Sequence, residues 1–159
     1  MLFSLNPKPM EATAQQFHVV VSSRYENIDV VQTLLGEALD CVSASEQECH
    51  WIDLALREAL ANAIKHGNGE NPEKRVRVDG RVTAEGVWIE VEDEGDGFTP
   101  EKVEDPLAPE NLLSPSGRGL LYIRNAMDQV ELRPGPKGGT LMFLFKELGA
   151  SNAEESEGS

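Results

Sequence analysis

The run from Ser43 to Gly69, SASEQECHWIDLALREALANAIKHGNG, constrains the fold of this chain more than any other stretch. Ile52, Ala55, Leu56, Ala59, Leu60, Ala63 and Ile64 recur at helical spacing and make one continuous apolar stripe. Ser45 followed by Glu48 fits a capping box at its start, and Gly67 and Gly69 stop it. Such a stripe needs a second layer to cover it. KRVRVDGRVT and GVWIEVED supply one: both alternate apolar and polar residues, and the AEG between them reads as a hairpin turn. Upstream, FHVVVSS (17–23) reads as a strand. ENIDVVQTLLGEALDCV reads as an amphipathic helix through Ile28, Val31, Leu34, Leu35, Ala38 and Val42. Downstream, GRGLLYIRNAMDQV reads as a helix opening at a glycine-rich turn, and VELRPGPKGGTLMFLFKE as two strands around a Gly-Pro turn. The order predicts an α/β (α+β) two-layer sandwich, a mostly antiparallel mixed sheet with helices on one face.

Residues 98–116 fit neither period. They hold Pro100, Pro106, Pro109 and Pro115, and a loop of this length in a compact domain is expected to act as a lid or binding loop. Residues 149–159, GASNAEESEGS, carry three glutamates and no basic residue, and are expected to be a disordered acidic tail. Residues 1–14 are expected to be a flexible N-terminus, which leaves 15–148 as the domain. A length of 159 residues favours a single core, and no internal repeat is visible.

The net charge of −14 repels nucleic acid backbones and anionic membranes. It serves solubility, and it would suit a partner with a basic face. No apolar run approaches the roughly 18 residues of a membrane helix. The start, MLFSLNPKPM, is broken by Pro7 and Pro9 and does not read as a signal peptide. Cys41 and Cys49 are the only cysteines, and two in a chain of this kind are expected to be free thiols. A cytoplasmic location follows as the expectation.

Several short motifs carry chemistry. In VEDEGDGFTP (91–100), four carboxylates and two glycines follow a strand. An EF-hand register with Gly97 at its sixth position puts Val103 where the twelfth-position Glu belongs, so a calcium loop is excluded. A dinucleotide fingerprint fails because Pro100 stands at the third glycine position. A plain hairpin tip explains the glycines but not Asp93 at a strand end before a proline-rich loop. On the helix, Glu58 and Asn62 are four residues apart on one face, with His66 four further on. A Glu can serve as general base and an Asn carbonyl can ligate Mg²⁺ beside substrate phosphates, although most such pairs are a solvated face. SGRGLL (116–121) places backbone N–H groups and Arg118 at a helix start, where a phosphate can sit; a tight turn is the simpler alternative. GGT (138–140) feeds the last strand.

Taken in order, E-x-x-x-N-A-x-x-H-G on a helix, D-x-G-x-G-F at a strand end, a lid, S-G-R-G-L opening a helix and G-G-T in a strand resemble the GHKL, or Bergerat-fold, ATPases. The anti-sigma factor serine/threonine kinases are the most similar, through REALANAIKHGN and GRGLLYIRNAMDQVEL, and the resemblance spans roughly residues 16–147. It implies a Bergerat ATP-binding fold, ATP and Mg²⁺ as cofactors, and phosphorylation of an antagonist (anti-anti-sigma) protein. A sigma factor is the second implied partner, and a homodimer the implied assembly. No direct nucleic acid or membrane contact is implied.

By the same resemblance, Glu58 is the general base and Asn62 holds Mg²⁺. Asp93 accepts from the adenine amino group, and Gly95 lets the base approach. Gly97 hinges the lid. Gly117, Arg118, Gly119 and Leu120 cradle the phosphates, Thr140 sits by the adenine, and His66 lies near the phosphates with its role open. Glu94 and Asp96 are then solvated turn residues, and Asp96 has to point outward. Two alternatives differ in chemistry. A histidine kinase ATPase domain is expected to follow a helical segment bearing a phospho-accepting histidine, for which the 16 residues ahead of the first strand leave no room. A non-catalytic nucleotide-binding adaptor does not need Glu58.

Overall fold

The computed structural model describes residues 14–97 and 118–149. The chain runs β1 (Gln15–Ser22), α1 (Asn27–Leu39), α2 (Glu46–Asn62), a π-helical turn (Ala63–Gly67), β2 (Arg75–Val82), β3 (Gly86–Asp93), α3 (Arg118–Ala126), β4 (Gln129–Pro134) and β5 (Thr140–Glu147). The strands form one sheet in the order β1-β2-β3-β5-β4, and each of the four pairings is antiparallel. This is the two-layer α+β sandwich that the sequence predicts. The proposed lid (98–116), the N-terminal residues 1–13 and the tail beyond Gly149 lie outside the described residues.

The apolar stripe of α2 builds the core. Ile52, Ala55, Leu56, Ala59, Leu60 and Ile64 are buried together with Val76, Val78, Val87, Ile89, Val91 and Leu144 of the sheet. Each large side chain removed from water contributes about 1.5–3 kcal/mol. The capping box forms as expected: Glu48 N–H donates to Ser45 Oγ at 3.0 Å, and Ser45 N–H donates to Glu48 Oε1 at 2.9 Å. Ile123 and Ala126 of α3 join the same core, and α3 packs on α2.

Four boundaries differ from the sequence reading. β1 spans Gln15–Ser22, so Ser23 is outside the strand. α1 ends at Leu39 rather than Val42, and the N–H groups of Cys41 and Val42 close turns onto Ala38 and Leu39. The long helix leaves α geometry after Asn62: Asn68 N–H reaches Ala63 C=O, five residues back, at 2.8 Å. Helix α3 ends at Ala126, and Gln129 and Val130 pair with Phe145 and Leu144 in the sheet, because register with β5 outweighs the helical periodicity.

Candidate functional site

Two clusters of expected residues come together, one on α2 and one at the end of β3. On α2, Glu58 and Asn62 face the start of α3. A Cβ added to Gly119 would lie 3.1 Å from Glu58 Oε2 and 3.5 Å from both amide atoms of Asn62. The glycine therefore sets how near the α3 terminus comes to the α2 carboxylate. Glu58 keeps 25% of its side chain exposed, and its Oε1 is 3.8 Å from Arg57 Nη2, so the carboxylate is reachable from solvent. His66, in the π turn, is exposed. Gly117 lies outside the described residues, while Arg118 and Leu120 fall in the first turn of α3.

At the end of β3, Asp93 is 6% exposed and its Oδ1 accepts two backbone N–H bonds, from Gly95 at 2.9 Å and Thr140 at 3.1 Å. Gly67, Gly95 and Gly139 enclose it so closely that a Cβ on any of them would overlap Asp93 or the Gly67 carbonyl. Thr140 thus meets the aspartate through its backbone N–H. Burial raises the Asp93 carboxyl above the usual carboxylate range, the two backbone N–H groups oppose that rise, and the Glu92 charge adds to it. A desolvated carboxylate whose bonds are all neutral N–H groups is suited to a further neutral donor, such as the amino group of a heterocycle, rather than to a cation. Gly97 has φ +72°, and a Cβ there would lie 2.5 Å from the carbonyl of Gly138, so it fastens the acidic turn against the β4–β5 turn. Asp96 is exposed, as the sequence reading expects of it. Glu94 is exposed too, but it is not merely solvated: its carboxylate accepts the N–H of Arg75.

The donor set fits a nucleotide bound with a hard cation. Asn62 and Glu58 offer oxygen ligands on one helix face. No group of three or more His, Cys, Asp or Glu side chains able to hold a metal occurs among the described residues. A cation at Asn62 would need phosphate oxygens and water to complete its shell, which is the usual situation of Mg²⁺.

Three features escaped the sequence reading. Gly67 reads in the sequence as a helix stop and the last residue of the helix motif, and neither reading reveals that its backbone touches both Asp93 and Gly95. Gly139 stood in a recognised motif, but its contact with Asp93 is non-local and leaves no local signal. Asn68 is buried and bonded on all sides. A groove of about 450 Å³ lined by Gln16, His18, Asp79, Arg81, Trp88, Glu90 and Phe143 shares no residue with either cluster. Among the described residues no helix is long and apolar enough to cross a membrane. Cys41 and Cys49 are free.

The histidine kinase-like ATPase domain family matches residues 21–145. The chain is similar to the anti-sigma F factor of Bacillus subtilis (strain 168), with 30% identity over 142 residues, 87% of this chain and 96% of that protein. It is 37% identical to the anti-sigma F factor of Heyndrickxia coagulans over 103 residues, 62% of this chain and 69% of that protein. Among solved structures it is similar to one of RsbU and RsbW domains from Mycobacterium tuberculosis, with TM-score 0.61 and 19% identity over 84% of this chain and 32% of that longer one. It is also similar to the catalytic domain of the histidine kinase ThkA, with TM-score 0.54 and 14% identity over 83% of this chain and 97% of that domain. At these identities the two structures bear on the fold alone.

Proposed function

This chain belongs to the histidine kinase-like ATPase family, and from that premise we propose that it is an anti-sigma factor with ATP-dependent serine/threonine kinase activity toward an antagonist protein. The likeness to anti-sigma F factors over nearly their whole length supports the sigma-factor part of the reading. One observation carries the chemical part: Glu58 Oε2 and the Asn62 amide share a helix face that meets the α3 terminus at Gly119, while Asp93 stands in a separate glycine-walled recess. A base-reading carboxylate and a phosphate-end pair are what a purine nucleotide requires.

In this reading the kinase domain is residues 15–148. Asp93 accepts from the adenine amino group, and Gly67, Gly95 and Gly139 give the flat ring room. Asn62 holds Mg²⁺ through its side-chain oxygen, and the first turn of α3, with Gly117, Arg118, Gly119 and Leu120, surrounds the phosphates. Bound ATP with Mg²⁺ supplies an electrophilic γ-phosphorus with part of its charge neutralised. Glu58 would take the proton of the acceptor hydroxyl as that oxygen attacks the γ-phosphorus, with the β–γ phosphoanhydride bond breaking and ADP leaving. His66 stays accessible near the phosphate end, and Gly97 is the hinge of a lid formed by 98–116. Two copies associate, and the protein acts in the cytoplasm.

The test is incubation with ATP, Mg²⁺ and a candidate antagonist protein, followed by mass spectrometry of the antagonist. Phosphoserine or phosphothreonine on the antagonist is the expected product. Tight ATP binding with an unmodified antagonist would instead favour a non-catalytic adaptor.

A further inference from the structure

Asn68 ends the helical run that carries Glu58 and Asn62. It is 2% exposed, and its amide is bonded at both ends. Nδ2 donates to Ser23 Oγ at 2.7 Å and to the Arg75 carbonyl at 2.9 Å, and Oδ1 accepts the Glu94 N–H at 2.8 Å. Its own N–H closes the π turn on Ala63. One side chain therefore joins the segment after β1, the first residue of β2 and the exit of β3 to the end of the α2 helical run. The exit of β3 carries Asp93 and Gly95. The helical run carries Glu58 and Asn62.

A left-handed pair follows the anchor directly. Gly69 and Glu70 follow with φ +61° and +59°, two left-handed residues in succession. Glu70 keeps this conformation through its N–H on the Ile64 carbonyl at 2.7 Å and its carboxylate on Tyr25 Oη at 2.6 Å. A non-glycine residue persists there when its surroundings over-determine it, and such outliers concentrate where geometry matters for function. Between the two segments that Asn68 ties, the Gly67 carbonyl and the Gly95 backbone touch with no room for a Cβ. That contact alone could slide, because van der Waals contact has no direction. The Asn68 bonds do have direction.

We infer that Asn68 is a positioning residue that fixes the Asp93 carboxylate relative to the Glu58–Asn62 face, and so sets how sharply the site reads the 6-position of a purine. The inference deepens the proposed function and rests on its reading of Asp93 as the acceptor for the adenine amino group.

The experiment is calorimetric titration of ADP and of inosine diphosphate, which has an oxo group in place of the amino group. Wild type, Asn68→Ala, Asn68→Asp and the core control Leu35→Ala are compared, each with a thermal melt. Wild type should prefer ADP by about tenfold or more, the size of one hydrogen bond to a charged acceptor. Asn68→Ala should bring the ratio below about threefold. Asn68→Asp keeps the acceptor for Glu94 N–H, loses both donors, and should fall between. Leu35→Ala lowers the melting temperature without touching the amide, and should keep the full ratio. An Asn68→Ala protein with the wild-type ratio overturns the inference, as does a control that loses its ratio equally. If Asn68→Ala does not fold, Ser23→Ala, which removes one anchor, should lower the ratio by about twofold, and an unchanged ratio then overturns it. A wild-type protein that binds both nucleotides equally overturns the adenine reading itself.

Discussion

At the scale of single residues, Asp93 and Asp96 are three positions apart and should behave as opposites. If Asp93 accepts from the adenine amino group as proposed, Asp93→Asn loses that acceptor in a desolvated recess, a loss of about 1.5–3 kcal/mol in ADP binding. Asp96→Asn removes an exposed charge and should leave ADP affinity equal or slightly better. Titration of both variants decides this, and equal losses would mean that the recess is not the base site. The raised Asp93 carboxyl also predicts a pH effect on the nucleotide-free fold. Its folded pKa lies above its unfolded one, so between the two the native state binds more protons and stability falls as pH rises. Measured by urea melts from neutral pH down through the carboxylate range, wild type should therefore gain on Asp93→Asn as the pH falls. A constant gap would remove the claim of desolvation. Glu58→Gln should still bind ATP with Mg²⁺ while phosphoryl transfer drops by about 10²–10⁴-fold. Asn62→Ala should lose the Mg²⁺-dependent part of nucleotide affinity as well. Phosphotransfer assays run beside nucleotide titrations separate the two, and a fully active Glu58→Gln protein removes the base from the mechanism.

At the scale of elements, α2 is where sequence and structure agree best, because its cap and its stripe are both local. Ser45→Ala breaks the reciprocal bonds with Glu48 and should cost about 1 kcal/mol. Leu56→Ala leaves a cavity under the sheet and should cost about 2–5 kcal/mol. Chemical denaturation of the two variants tests the ranking, and a costlier cap than cavity would contradict the packing described. The strand pair β2–β3 was equally legible, since alternation over eight residues and a short turn leave few registers open. The π turn was not legible: Ala63–Gly67 has the composition of ordinary helix, and its geometry goes with the non-local bonds of Asn68 to Ser23, Arg75 and Glu94. The same holds for the site. Glu58, Asn62, Asp93 and Gly119 stood out as motif residues, whereas the roles of Gly67 and Asn68 exist only once β3 lies beside the helix end.

At the scale of the whole molecule, the charge of −14 is unevenly spread. The sheet face away from the helices presents three cross-strand rows: Gln16–Arg81–Trp88–Phe145–Gln129, His18–Asp79–Glu90–Phe143–Glu131 and Val20–Arg77–Glu92–Leu141–Arg133. Three arginines meet four carboxylates there, and Arg77 bridges Asp79 and Glu92. The face is nearly neutral and partly aromatic, whereas the chain as a whole is strongly acidic, so two copies meeting there would add little charge repulsion of their own. If the proposed homodimer uses it, Trp88→Asp should give monomers in sedimentation experiments. Added salt should tighten the wild-type dimer, because it screens the repulsion between the acidic remainders. A dimer that weakens with salt would point to an ionic interface elsewhere. The chain's exit from the fold has a practical use of its own. Leu148 N–H bonds the Glu85 carbonyl in the β2–β3 turn, and Gly149 N–H bonds Glu48 Oε2 at the α2 cap. The Glu85 anchor adjoins the end of β3 opposite Asp93, about 23 Å away along an eight-residue strand. A fluorophore or surface tether joined directly after Gly149 would start far from the Asp93 recess, the proposed adenine site, which suits that attachment point to a nucleotide biosensor.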